Sequence, residues 1–215
     1  MTNKPYHARK DFRWKFNRKI VLFVLLTFPC LVSLGFWQLS RAEEKRLIKE
    51  LYNQNQVAPE ASIEDLGEDK NMQYRKVELS GVLSRDKRVF LDNKVRLSRP
   101  GYEVFEELTP AGIDISVLVN RGWVPASLDR SVLPKLEDIE GLVTIKGSLY
   151  RTLAGGLQLD DGIEVPIDWP VRVGWITTER AQVLFQRPFY PYQLRLDRSS
   201  PGALETGWPV VSINP

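Results

Sequence analysis

The sequence contains, from Ile20 to Trp37, the stretch IVLFVLLTFPCLVSLGFW, which is 18 residues long and carries no charge. At about 1.5 Å per residue, a helix of this length spans roughly 27 Å, close to the hydrocarbon thickness of a bilayer. The stretch therefore predicts a transmembrane helix, which we place at residues 20–38. A cleaved signal peptide is the alternative, but such signals have shorter apolar cores, and helix-forming sequence continues to Asn55.

The flanks of this stretch predict its orientation. Seven Lys and Arg residues precede it, against the single acid Asp11, whereas basic and acidic residues are mixed behind it. Because Lys and Arg accumulate on the cytoplasmic side of a membrane, residues 1–19 are predicted to form a basic cytoplasmic tail. Residues 39–215 then form an extracytoplasmic domain. The tail lacks a long Ser- and Arg-rich presequence, which favours the inner (plasma) membrane of a bacterium over the mitochondrial inner membrane.

The distribution of charge argues against nucleic acid as a partner. The formal net charge of the whole chain is +3, but residues 1–50 carry +7 and residues 51–215 carry −4. The excess of positive charge is therefore confined to the region around the apolar stretch. A nucleic-acid-binding domain would carry it on its folded part.

Beyond the helix, alternating apolar residues separated by turn residues predict a domain built mainly of strands. We expect strands near residues 74–83, 87–95, 101–109, 115–124, 142–150, 170–176, 190–197 and 208–213. The pairs Asp92-Asn93 and Pro100-Gly101 separate the early strands, and one helix is expected at about 178–186, ended by Pro188. The predicted fold class is α+β, with a mainly antiparallel sheet that forms an open barrel or a curved sheet.

Two segments of the predicted sheet resemble each other. Residues 77–83, VELSGVL, and residues 143–149, VTIKGSL, both alternate, and both contain a glycine soon after the first apolar position. We interpret them as equivalent strands of one sheet.

The inventory of reactive side chains excludes most enzyme classes for the outer domain. The only histidine is His7 and the only cysteine is Cys30, which lies inside the apolar stretch. A Ser-His-Asp triad, a Cys-His pair and a His/Cys zinc site are therefore impossible in residues 39–215. No phosphate-binding loop or dinucleotide fingerprint occurs. We predict that the protein is not an enzyme and that it has no metal site.

Three groups of polar or aromatic residues remain as candidates for function. Asp160 and Asp161 precede a glycine, which is typical of a turn but leaves open a carboxylate-dependent periplasmic hydrolase. Asn120 and Arg121 follow an apolar run, so that the guanidinium either binds a carboxylate, such as a haem propionate, or forms a structural ion pair at the strand end. The aromatic residues Trp175, Tyr190 and Tyr192 line a ligand groove or belong to the core.

An ordered set of short motifs resembles the surfeit-locus (Surf/Shy) family of cytochrome c oxidase assembly proteins. The motifs are GFWQLSR at 35–41, LDN at 91–93, RPGYEV at 99–104, VLVNRGWVP at 117–125, PYQL at 191–194 and WP at 208–209. The resemblance extends from about residue 20 to residue 213. It implies a role in maturing haem-copper oxidase, with the oxidase catalytic subunit as partner and haem A synthase as a further candidate.

The resemblance also raises the question of haem. Some members of the family are thought to bind haem, so a chaperone that carries haem A transiently is an alternative function. The family typically has a second transmembrane helix after the segment that matches Trp208 to Pro215, and the histidine attributed to haem binding belongs to that part. This sequence holds no such second apolar run. We therefore expect either a longer reading frame or a one-span member, and no haem ligand is identifiable.

The candidate partner-binding residues follow from the position of these motifs. Trp37, Gln38 and Arg41 lie at the exit of the membrane helix, where they can meet a partner helix or lipid headgroups. A second set, on a predicted strand, is Asn120, Arg121 and Trp123, and Tyr192 is a further candidate. If Arg121 contacts a partner, Arg121→Ala should lower the haem content of the oxidase and leave the abundance of this protein unchanged. Loss of the protein itself would indicate a structural role.

Overall fold

The structure, a computed structural model, describes residues 17–61, 71–151 and 168–208. The chain divides into two compact units, Met1–Leu47 and Ile48–Pro215. The first holds most of a long helix, and the second holds the end of that helix and a β-sheet. We describe each unit by itself.

The apolar stretch lies in α1, a continuous helix from Arg18 to Val57. The predicted continuation of the helix beyond the apolar stretch is therefore confirmed, and it extends two residues past Asn55. Asn17 begins the helix, because its side-chain oxygen accepts a hydrogen bond from the backbone N–H of Lys19 at 3.0 Å. By length and composition, α1 is the one helix in the described part of the chain that could cross a membrane.

Six strands and one short helix follow, and they confirm the predicted α+β class. The elements are β1 (Lys76–Arg96), β2 (Arg99–Pro110), β3 (Val117–Pro125), β4 (Leu142–Tyr150), β5 (Val171–Val173), α2 (Thr178–Phe185) and β6 (Gln193–Leu196). The strands form one curved sheet in the order β2-β3-β6-β4-β1-β5, with an additional pairing of β2 with β1. Four pairings are antiparallel, whereas β1 with β5 and β3 with β6 are parallel.

The first two predicted strands are one long strand. β1 runs without a break through the polar residues 84–87, where its register against β2 shifts between Leu83 and Arg88. A second shift lies at the Asp92-Asn93 pair, so these residues form an irregularity within the strand and not a turn between strands. The polar residues do not end the strand, because a bulge accommodates extra residues while pairing continues on both sides.

The turn between β1 and β2 also lies elsewhere than predicted. Its two residues are Leu97 and Ser98, both with positive φ (47° and 61°), and Pro100 and Gly101 are inside β2. Of the later elements, β5 and β6 are shorter than predicted. Trp208 belongs to no strand, and the rest of the predicted strand 208–213 lies outside the described residues. Helix α2 matches its prediction closely, with Thr177 capping its first turn.

The two similar segments are neighbours in the sheet. Residues 77–82 of β1 pair antiparallel with residues 142–147 of β4, so Val77 lies opposite Gly147 and Gly81 lies opposite Val143. Each glycine marks a close approach of another strand: a Cβ on Gly81 would lie 2.5 Å from the carbonyl oxygen of Thr109, and one on Gly147 would lie 2.2 Å from that of Arg195. The repeated glycine therefore permits strands to pack where a side chain would not fit.

Strand β3 is the most enclosed element of the sheet. All of its residues except Pro125 are buried. Val117 and Val119 belong to one apolar cluster, and Leu118 belongs to a second cluster that includes Phe185 of α2. Because both faces of β3 are covered, polar side chains on this strand lie inside the domain and need partners there.

Candidate functional site

Arg121, the central residue of the predicted site on β3, lies in a β-bulge. Val104 pairs with Gly122 and Phe105 pairs with Asn120, so Arg121 is the extra residue between them. Bulges redirect a side chain relative to regular alternation. Here the side chain points into the domain, where Arg121 retains 2% of its exposed area.

The guanidinium of Arg121 has acceptors within the chain for each of its nitrogens. Nη1 donates to Oε1 of Glu106 at 2.7 Å, and Nε donates to the carbonyl oxygen of Gly202 at 2.8 Å. The carbonyl oxygen of Glu137 is 3.4 Å from both Nη atoms. The structural ion pair, which was one of the two alternatives for Arg121, is therefore the arrangement that the structure shows.

Glu106 joins Arg121 to a second guanidinium, that of Arg88. Nε of Arg88 donates to the same carboxylate oxygen, and Nη2 of Arg88 donates to Asp138 at 3.0 Å. Two carboxylates thus balance two guanidinium groups in what we call the Glu106 centre (Arg88, Glu106, Arg121 and Asp138). Hydrogen-bonded pairing of this kind is what allows charges to be buried.

Asn120 and Trp123, the other candidates on β3, also make internal contacts. Nδ2 of Asn120 donates to Oε2 of Glu103 at 2.9 Å, and its Oδ1 accepts from the backbone N–H of Gly122 at 3.1 Å. The indole N–H of Trp123 donates to the carbonyl oxygen of Lys94 at 2.8 Å. Both side chains are buried, so any effect of these residues on a partner passes through the shape of the sheet.

The candidates on α1 are exposed. Trp37, Gln38 and Arg41 all lie on the described helix, and Nη1 of Arg41 is 2.7 Å from a carboxylate oxygen of Glu44. An exposed pair three residues apart contributes little to stability, which leaves Arg41 free to exchange this contact for another. Their role in binding a partner or lipid headgroups stays a prediction.

The aromatic candidates are only partly brought together. The rings of Tyr190 and Tyr192 are 5.8 Å apart, and the hydroxyl of Tyr192 accepts a hydrogen bond from the backbone N–H of Met72 at 3.4 Å. Trp175 packs instead against Arg180, whose Cζ lies 4.1 Å from its ring centroid. Tyr190 belongs to the core. Asp160 and Asp161 lie outside the described residues.

A cleft that we did not predict lies within the unit Ile48–Pro215. We call it the aromatic cleft: it has a volume of about 170 Å³, and its walls include Tyr52, Tyr74, Tyr150, Arg195 and Trp208. The ring of Tyr74 is 5.3 Å from that of Tyr52 and 6.1 Å from that of Tyr150. These residues come from α1, the segment before β1, β4, β6 and the segment after β6, so no local sequence pattern indicates them.

Across residues 17–61, 71–151 and 168–208, no three His, Cys, Asp or Glu side chains are grouped so that they could hold a metal ion. In the Glu106 centre, the charged side chains of the interior are instead joined to one another.

Fold and site together define an α+β domain that follows a helix suited to a membrane, with a structural ion-pair centre around Glu106 in its interior. The model of the SURF1 family matches residues 25–213, which includes both the helix and the sheet. The chain therefore belongs to the SURF1 family, as its motifs indicated.

Curated relatives come from bacteria and from eukaryotes. A SURF1-like protein of Rickettsia felis is 35% identical over 107 residues, covering 49% of this chain and 46% of that protein. A SURF1-like protein of Drosophila melanogaster is 35% identical over 144 residues, covering 57% and 46%. Surfeit locus protein 1 of Homo sapiens is 29% identical over 147 residues, covering 60% and 49%. The chain thus spans about half the length of the curated relatives it matches.

Proposed function

We propose that this protein is a membrane-anchored assembly factor for cytochrome c oxidase, which assists insertion of haem A or another step in maturing the catalytic subunit. The observation that carries the proposal is the family match over residues 25–213, since it includes most of the apolar helix and the sheet. An assembly factor for a membrane complex needs both a place in the membrane and a folded surface for contacts.

The inventory of side chains supports a role through contacts and not through catalysis. After Cys30 the chain contains neither histidine nor cysteine, the residues that most often act as nucleophile or general base. In the described part of the sheet domain, the most buried charged residues on β3 and β2 are Arg121 and Glu106, and they bond to each other. Such groups shape the domain but are not poised to react with a substrate.

We further propose a location and partners for this protein. The helix lies in the inner membrane of a bacterium, the N-terminus is cytoplasmic, and the sheet domain is on the outer side. The oxidase catalytic subunit is the principal partner, haem A synthase is a second, and haem A passes between them with transient contact to this protein. The exposed residues Trp37, Gln38 and Arg41 face the partner helix or lipid.

A deletion strain tests the function. We expect loss of the gene to reduce the haem a absorbance of membranes in reduced-minus-oxidised spectra and to lower oxidase activity, while haem b absorbance is retained. Expression of the full chain from a plasmid should restore both signals. A deletion strain with normal haem a absorbance and oxidase activity would rule out a required role in maturation.

Protease accessibility tests the location. Protease added to spheroplasts should degrade the sheet domain and leave an epitope on the N-terminal tail intact. If the tail is removed and the domain survives, the predicted orientation is wrong and the proposed contact with the outer side of the oxidase fails with it.

A further inference from the structure

The guanidinium of Arg195 occupies the aromatic cleft in an unusual way. Its Cζ lies 3.3 Å from the ring centroid of Tyr150 and 5.2 Å from that of Trp208. Stacking on aromatic faces holds a guanidinium by its plane and leaves its N–H groups, which lie in that plane, available as donors. Arg195 is therefore held in place largely by its contacts with the two rings.

One donor of Arg195 lacks an acceptor in the described residues, although the Tyr150 side chain is also a hydrogen-bond partner of the group. Its Nε is buried and has no hydrogen-bond partner there, and no carboxylate forms an ion pair with the group. Asp197 lines the same cleft and Glu103 acts on Arg195 through space, but the Glu103 carboxylate already accepts from Asn120. Burial lowers the pKa of the Arg195 guanidinium from its ordinary value, as expected for a cation that is incompletely compensated.

A second arginine near the same indole has a similar deficit. Cζ of Arg96 lies 5.6 Å from the ring centroid of Trp208, and its Nη2 is buried without an acceptor in the described part of the chain. Its Nη1 donates to the carbonyl oxygen of Glu205 at 2.7 Å. Two arginines close to one ring, each with an unsatisfied buried donor, are a costly arrangement that an anionic acceptor would relieve.

The wall of the cleft also carries backbone strain. Tyr74 has a φ of 65°, in the left-handed region that bulky side chains rarely adopt. Its backbone N–H donates to the carbonyl oxygen of Leu149 at 2.7 Å, and Nε2 of Gln56 donates to its carbonyl oxygen at 3.1 Å. These contacts hold the Tyr74 ring in the wall. Strain maintained by surrounding structure is typical of binding sites.

We propose that the aromatic cleft binds a carboxylate carried on a small apolar or aromatic body, with Arg195 as its principal partner. A guanidinium matches a carboxylate with two parallel N–H···O bonds. The tyrosine rings and Trp208 contact the body of the ligand, and the volume of about 170 Å³ suits it, since an apolar cavity of about 150 Å³ holds a benzene molecule. The carboxylate comes from a free small acid or from an acidic side chain of a polypeptide. This inference does not depend on the proposed function.

Binding of benzoate and of benzamide to the purified full chain in detergent tests the chemistry. Titration followed by ligand-observed saturation-transfer NMR should show saturable binding of benzoate, with benzamide at least about tenfold weaker because it lacks the charge. Because the charged and the neutral probe partition differently into micelles, the signal of each probe with detergent alone is subtracted. No preference for benzoate over benzamide, together with none for a glutamate peptide over its glutamine counterpart, would overturn the proposal.

Variants locate the site. Arg195→Gln should weaken benzoate at least about tenfold, and Arg195→Lys should weaken it less, since the charge is kept but the paired donors are lost. Arg198→Gln changes an exposed arginine three residues further on and should bind as the wild type does. Equal losses of benzoate affinity in the Arg195→Gln and Arg198→Gln variants would place the binding site elsewhere.

A second variant keeps the proposal testable if Arg195→Gln fails to fold, which melting curves would show. Tyr52→Leu removes one half-buried ring from the wall and should weaken benzoate while leaving the guanidinium in place. Unchanged affinity in a folded Tyr52→Leu protein contradicts the location.

A last comparison separates the two sources of the carboxylate. The capped peptide acetyl-Gly-Glu-Gly-amide is titrated beside its Gln counterpart and beside benzoate. Tighter binding of the Glu peptide than of benzoate assigns the cleft to an acidic segment of a polypeptide, whereas the reverse assigns it to a free acid. If the Glu and Gln peptides bind alike and benzoate and benzamide bind alike, the cleft is not a carboxylate site.

Discussion

Nη1 of Arg121 on β3 lies 2.7 Å from Oε1 of Glu106 on β2, and the two side chains retain 3% and 2% of their exposed area. The contact is possible because a bulge turns Arg121 inward between two regularly paired residues. Asn120 and Arg121, the two polar residues that follow an apolar run in the sequence, therefore belong to the interior of the domain.

Removing the carboxylate of the Glu106 centre should destabilise the domain strongly. Glu106→Gln leaves the buried guanidinium of Arg121 without its counter-charge and removes one of the two carboxylates of Arg88, and we expect a loss of about 3 to 5 kcal/mol in the free energy of unfolding. Glu140→Gln is the control, because that residue pairs with Arg85 on the surface and should cost at most about 1 kcal/mol. Urea unfolding of the purified chain measures both, and similar losses would show that the buried pair has no special role.

Arg121→Ala should lower the amount of this protein in the membrane, because it leaves Glu106 without its buried partner. Immunoblotting against the sheet domain, with oxidase haem a measured on the same membranes, separates the two roles of Arg121. Normal abundance with reduced haem a would restore the direct functional role that the sequence left open.

Gly147 should not tolerate a side chain. A Cβ at this position would lie 2.2 Å from the backbone carbonyl oxygen of Arg195, so Gly147→Ala must displace β6. We expect a loss of about 3 kcal/mol or more. Gly174→Ala, where nothing lies within 4 Å, should change stability by no more than about 0.5 kcal/mol. Equal effects of the two substitutions on the unfolding midpoint would contradict the close approach of β4 and β6 at Gly147.

The turn between β1 and β2 should accept a stabilising change. Leu97 and Ser98 both have positive φ, and Leu97 is fully open to solvent at 89% exposure. The double substitution Leu97→Asn with Ser98→Gly supplies the residues that a type I′ turn prefers, and we expect a gain of about 1 kcal/mol. Leu128→Asn removes another exposed leucine outside this turn and should give no gain. A lower melting temperature for the double variant would show that the turn has another geometry.

Arg41 and Arg46 offer a matched test of the membrane-proximal prediction. Each lies on α1 and pairs at 2.7 Å with a glutamate three residues away, Arg41 with Glu44 and Arg46 with Glu43. Because both pairs are exposed, neither Arg41→Ala nor Arg46→Ala should alter abundance. If Arg41 meets a partner, only its substitution should lower the haem a absorbance of the membranes. Equal haem a content in the two strains would remove Arg41 from the candidates.

The pH dependence of stability should report the contact between Lys146 and Glu60. Nζ of Lys146 donates to Oε2 of Glu60 at 2.8 Å, and this hydrogen bond holds the pKa of Glu60 below its ordinary value of 4.5. When the pKa of a carboxyl group is lower in the folded state, the group stabilises the fold at pH values above its ordinary pKa. This contribution disappears as the pH falls through the lowered pKa.

The wild type should therefore exceed Lys146→Met in melting temperature near pH 7, and the difference should shrink below pH 4.5. Lys135→Met, at an exposed lysine for which the described residues provide no ion pair, should show no such pH dependence. A difference that persists at low pH would mean that Lys146 stabilises the fold through packing.

Much of the fold was predictable because its signals are local. The uncharged run of 18 residues from Ile20 to Trp37 indicates a helix by itself. A helix is the structure in which such an apolar segment satisfies its backbone hydrogen bonds internally. Thr177 and Pro188 delimit α2 in the same way, through a capping oxygen and a residue that cannot continue a helix. Alternation also predicted most strands, although it could not show that β1 continues through a bulge.

The sequence by itself determined the long apolar helix, the class of fold and the absence of histidine and cysteine from residues 39–215. Only the tertiary structure decided that Arg121 is bonded to Glu106 inside the sheet, and that Arg195 is stacked between Tyr150 and Trp208 in a cleft. The reason is physical: helix and strand formation depends on neighbours within a few residues, whereas a buried charge or a cleft depends on which distant segments the sheet brings together.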